Sequence, residues 1–163
     1  MKKCVKESVE LIINHVTKGI ELGKEYNLPN EIIDFIPMHH GTMVIDFFYS
    51  KAKNLYGEEN VDINDYRYPG PKPNSKETAL LMLADASESA VRSMLDPDQE
   101  KVENYVSNLI KIRIDDGQLD DSPLTFDDIK KIKDSFVSIL LSQHHKRIRY
   151  PKQEELEKKN GDD

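Results

Sequence analysis

Apolar residues recur along this chain with a helical period. Val5, Val9, Ile12, Ile13, Val16 and Ile20 fall at steps of three and four, on one face of a helix predicted over residues 5–26. Asn27-Leu28-Pro29-Asn30 breaks it, and Asn30 is placed to cap a short helix over residues 31–36. Pro37 and Gly41 bracket Met38-His39-His40, which puts both imidazoles at a helix end or in a tight connection. A third helix, over residues 43–55, carries the apolar payload of Phe47, Phe48 and Tyr49. The periodicity then vanishes over residues 56–74. There Tyr66-Arg67-Tyr68-Pro69-Gly70-Pro71-Lys72-Pro73 holds three prolines in five residues, a stiff extended loop.

The second half is more regular. Residues 77–94 form the most apolar helix, with Leu80, Leu81, Leu83, Ala84, Ala86, Ala90 and Val91, and Ser75 with Thr78 offers a partial cap before it. Asp96-Pro97 predicts a restart, Asp as N-cap and Pro in the first turn. That helix ends near Asp116, with Gly117 at C′. Thr125 and Asp128 open a last long helix through Ile129, Ile132, Phe136, Ile139 and Leu140 to about His145. No repeat and no strand pattern is visible. The pattern predicts an all-α bundle of about six helices: one domain over residues 1–150 and a polar, disordered tail over residues 151–163.

Composition narrows the partners. The 163 residues carry a formal net charge of −7, which disfavours the broad basic surface that binds DNA or RNA polymers. A single Cys cannot build a disulfide framework, and no apolar run reaches the ~20 residues of a membrane span, so the cytoplasm is the expected compartment. Phosphate-loop, dinucleotide and nucleophile-elbow motifs are absent from the sequence.

Four features can carry chemistry. His39-His40 is either a pair of metal ligands turned inward at a helix end or two partly exposed loop residues. His15, beside the apolar stripe of the first helix, is either a ligand or a hydrogen-bonded boundary residue. Asp85 interrupts the most apolar helix. Burying an unpaired carboxylate costs several kcal/mol, so Asp85 is paired, on a metal, or on a solvated stripe with Glu88 and Arg92. The proline loop, with Arg67, Tyr68 and Lys72, can grip a phosphate or stack a base, or serve as a connector.

Taken in order, Ile12-Ile13-Asn14-His15-Val16, Leu28-Pro29-Asn30-Glu31-Ile32-Ile33-Asp34-Phe35-Ile36 and His39-His40-Gly41-Thr42 resemble the HD superfamily of metal-dependent phosphohydrolases. Tyr66 to Pro73, Lys76-Glu77-Thr78-Ala79, Leu83 to Ser93, Asp116-Gly117-Gln118-Leu119 and His145-Lys146-Arg147-Ile148 narrow it. They resemble the intracellular HD domain of seven-transmembrane HD cyclic di-AMP phosphodiesterases, over roughly residues 5–151. The resemblance implies a two-metal centre of iron or manganese. His15 and His39 hold one metal, Asp85 reaches the other, and His40 is a ligand or a catalytic contact to the substrate phosphate. It implies a cyclic dinucleotide substrate, opened to a linear dinucleotide and contacted by Arg67, Tyr68 and Lys72. The family's first His and its metal-bridging His-Asp pair have no counterpart, since none of the five His is followed by Asp. The chain therefore reads as the C-terminal part of such a domain, lacking the N-terminal helices and inactive alone, or as a non-catalytic helical module. A partner chain supplying the missing helices is the expected complement.

Overall fold

The computed structural model describes residues 2–145, with side chains from Val5 to Gln143. The expectations for the tail and for the stretch after His145 lie outside the described residues. Within them the fold is all-α: five long helices, two single α-turns and two short 3-10 turns (Glu58–Asn60 and Ile63–Tyr66), joined by loops. The long helices are α1 (Lys2–Glu25), α4 (Asp46–Tyr56), α5 (Lys76–Ser93), α6 (Gln99–Asp115) and α7 (Phe126–His145). The single turns are α2 (Asn30–Ile33) and α3 (Phe35–Met38).

Two apolar cores organise the chain. In the first, α5, α6 and α7 pack around Leu83, Val91, Val102, Val106, Leu109, Ile110, Val137 and Leu140. In the second, Val5 and Val9 of α1 meet Ala52 of α4 and Tyr66 of the loop that follows. α3 bridges the two, touching α1 on one side and α5 on the other. The side chain of Ile36, between α1 and α3, fits because α1 carries Gly19 there. A Cβ at Gly19 would lie 2.8 Å from Ile36 Cγ2, so only glycine permits this approach.

Local chemistry sets the helix ends. α1 stops at Asn27, which takes a left-handed φ of 53°. Leu28 N–H then donates to the Gly23 carbonyl and Asn27 N–H to that of Lys24, a Schellman closure. α6 ends in the same way at Gly117, φ 65°, with Gln118 N–H on the Arg113 carbonyl and Gly117 N–H on that of Ile114. Ser75 and Thr78 form a full capping box before α5, stronger than the partial signal read from sequence. Thr125 and Asp128 cap each other at the start of α7, as predicted.

Three expectations need correction. The helix over residues 31–36 is two turns, α2 and α3, meeting at Asp34, and Asn30 lies inside α2 with Pro29 before it. The third helix starts at Asp46 rather than Met43, because Val44 and Arg67 form an antiparallel bridge that holds this stretch extended. The cap of α6 is Asp98, whose carboxylate accepts from Lys101 N–H, while Asp96 takes a positive φ of 52° in the preceding turn. Sequence reading chose the first Asp before the proline; the backbone uses the one after it.

Candidate metal centre

The site forms where α1 crosses α3. His15 projects from α1, and His39 is the C-cap of α3, followed at once by His40 in the turn. On a regular helix, neighbouring side chains diverge by roughly 100°. Here α3 has already ended, and the chain reverses at Gly41, φ 53°. The two imidazoles therefore lie together, with ring centroids 3.9 Å apart. His15 sits across from them, 5.6 Å from the His39 ring and 5.0 Å from that of His40. One nitrogen from each of the three rings lies within 4.8 Å of the others.

The outer nitrogens prepare this cluster. His15 Nδ1 lies 2.5 Å from the Ile12 carbonyl, and His39 Nδ1 lies 2.6 Å from that of Ile36. A carbonyl oxygen only accepts, so both Nδ1 atoms donate, and each ring presents an Nε2 lone pair. His40 is held neutral: burial, then the neighbouring His39, His15 and Arg113, lower its pKa to about 3. Three imidazoles with available lone pairs fit a divalent cation of the kind nitrogen ligands take.

The turn behind the histidines is fixed by Gln118, which is 1% exposed. Its Oε1 accepts from Thr42 N–H at 3.0 Å, and its Nε2 donates to Thr42 Oγ1 at 3.0 Å and to Asp116 Oδ2 at 2.8 Å. Arg67 Nη1 donates to the Thr42 carbonyl at 2.8 Å. A Cβ on Gly41 would stand 2.5 Å from Gln118 Oε1 and 2.8 Å from Met82 Cε. No other residue fits that left-handed position beneath the amide.

The proline loop lies alongside. Tyr68 N–H donates to the Met43 carbonyl, and its ring stacks on His40 at 4.2 Å and 16°. Burial raises the Tyr68 phenol pKa, and the Asp85 carboxylate raises it further. The structure thus brings His15, His39, His40 and Tyr68 together. Asp85 is exposed on α5 and stands outside the three-donor cluster, tied to it through the field at Tyr68. Arg67 is engaged with backbone, and Lys72 faces Asp120 at 3.9 Å. Sequence reading did not single out Gln118 as the clamp, nor Arg113, a half-buried cation whose charge is felt at His40.

Comparison with known proteins bears on this geometry. No family model matches the chain. It is 40% identical over 144 residues to the cyclic-di-AMP phosphodiesterase PgpH of Bacillus subtilis. It is likewise 40% identical over 147 residues to PgpH of Listeria monocytogenes. The match covers 88% and 89% of this chain and 20% of each relative, so the chain spans about a fifth of their length. The crystal structure of the L. monocytogenes PgpH HD domain in complex with cyclic-di-AMP superposes with a TM-score of 0.83 at 38% identity. That superposition covers 90% of this chain and 68% of the solved one. The chain belongs to the PgpH HD-domain family. An HD-domain phosphohydrolase family implies a divalent metal, and the three imidazoles form a group that could hold such an ion. Among the described residues, no helix is long and apolar enough to cross a membrane.

Proposed function

We propose that this chain is part of a metal-dependent phosphodiesterase domain that opens a cyclic dinucleotide, cyclic di-AMP, to the linear dinucleotide. The observation that carries the reading is the cluster of His15, His39 and His40, with two Nδ1 atoms fixed on carbonyls. We read residues 1–150 as the HD unit, His15 and His39 as ligands of one iron or manganese ion, and Asp85 as directed to a second. A divalent metal here supplies charge stabilisation of the phosphodiester oxygens and an activated water. His40, neutral and stacked on Tyr68, would help hold the ion or meet the phosphate. Tyr68 offers its ring to a base, and Arg67 and Lys72 line the loop beside it.

The 163 residues hold no His-Asp pair, and with it goes the carboxylate that bridges two metals. The chain alone is therefore expected to bind ligand without turning it over. The test is hydrolysis of cyclic di-AMP with Mn²⁺, by the chain alone and with the remaining third of the PgpH HD domain added. Linear dinucleotide only in the second sample supports the reading. Robust hydrolysis by the chain alone refutes its inactivity, and failure of both samples to bind cyclic di-AMP refutes the substrate.

One observation favours a second reading, a non-catalytic module that binds a partner chain. Leu11 and Leu22, 72% and 54% exposed, share the face of α1 that carries His15, and Tyr26 just past its end is 71% exposed. A monodisperse monomer that gains nothing from the added PgpH segment would count against it.

A further inference from the structure

This inference rests on the phosphodiester reading above and names a residue that would hold the anion. Arg113 lies near the C-terminal end of α6. Its side chain is half-buried, and its Nε is buried with no hydrogen-bond partner among the described residues. Burial lowers its pKa against the opposing pull of Tyr105, Asp116 and Asp46, and no carboxylate among the described residues lies within ion-pair distance of it. Asp116 Oδ2 is already engaged by Gln118 Nε2. A guanidinium nitrogen buried without a partner is costly, and an anion that reaches the half-buried fork would complete it.

The placement of Arg113 is fixed relative to the histidines. Its carbonyl accepts from Gln118 N–H at 2.9 Å, and the Gln118 side chain holds Thr42, two residues after His40. The turn of α6 that carries the arginine and the turn that carries the imidazoles are thus one hydrogen-bonded unit. Its positive charge acts directly on His40. We propose that Arg113 is a positioning residue that clamps the anionic phosphodiester of the substrate presented to the His15–His39–His40 centre. A planar fork of donors suits two phosphate oxygens at once, which a lysine at the same place matches only as a point charge.

The test uses the full chain and two anions, cyclic di-AMP and inorganic pyrophosphate, in calorimetric titrations of the wild type, Arg113→Gln and Arg113→Lys. Mn²⁺ affinity is measured on the same samples by electron paramagnetic resonance. Loss of a charge-assisted bidentate contact predicts roughly 10- to 100-fold weaker binding of both anions to Arg113→Gln, while Mn²⁺ affinity does not fall. Arg113→Lys should recover part of the loss, and the salt dependence of binding should flatten in Arg113→Gln. If Arg113→Gln does not fold, the wild type against Arg113→Lys carries the same comparison. Equal anion affinities in wild type and variants overturn the proposal, as does a wild type that binds neither anion. A wild type that binds pyrophosphate through Arg113 but not cyclic di-AMP sustains the clamp and removes the cyclic substrate.

Discussion

The two halves of the molecule are held together by different means. The α5–α6–α7 unit is a packed core, with Leu83, Val102 and Val106 fully buried and regular caps at the helix starts. The half formed by α1, α3, α4 and the proline loop has a smaller core, and its order comes from turns and side-chain bonds to backbone. The three clustered imidazoles all stand in the second half, while the clamp that fixes their turn, Gln118, comes from the first. A stable bundle therefore serves as an anvil for a turn that could not hold its own shape.

This division can be broken from either side. The largest effect is expected in the bundle: Leu83→Ala should cost roughly 2–5 kcal/mol by urea denaturation. It should leave the Mn²⁺ affinity of the folded fraction unchanged. Gly41→Ala strikes the junction, combining a left-handed φ with contacts to Gln118 and Met82. It should cost roughly 1–3 kcal/mol and also weaken Mn²⁺ binding, read by thermal melts and metal titration. An unchanged metal affinity in a folded Gly41→Ala protein would separate the turn from the site. Ser75→Ala removes a cap remote from the histidines and should cost about 1 kcal/mol with no effect on metal.

The same division can be probed with pH. His40 has a folded pKa near 3 against 6.5 for a free imidazole, so the folded state favours its neutral form. Its contribution is complete above about pH 6.5 and declines as pH falls from there toward 3. The Asp128 carboxylate is depressed by Lys76 and by the Thr125 N–H and hydroxyl, so its contribution is lost only as pH falls below about 3.8. Denaturation midpoints in metal-free buffer should drop between pH 6.5 and 4. The drop should flatten in His40→Gln and persist in Asp128→Asn.

The bundle half was largely legible in the sequence because period, caps and the Gly117 stop are local signals. Its one boundary error, Asp96 for Asp98, arose where two aspartates flank a proline and only the backbone decides between them. In the other half, sequence reading singled out His15, His39, His40 and Tyr68 and expected Asp85 to converge with His15 and His39. The imidazoles meet, and Asp85 lies outside their cluster. The start of α4 was misplaced because an antiparallel bridge to Arg67, distant in sequence, overrides local helix propensity. Gln118 and Arg113 carry no local signal of their roles, since both act across a separation of about 70 residues or more.

The most direct test of the account is Mn²⁺ binding by the chain, compared with His15→Ala and His39→Ala by electron paramagnetic resonance. Saturable binding to the wild type and a loss of at least roughly 10- to 100-fold in each variant are expected, with melting curves little changed. Equal Mn²⁺ binding by all three proteins, or none by the wild type, would contradict it.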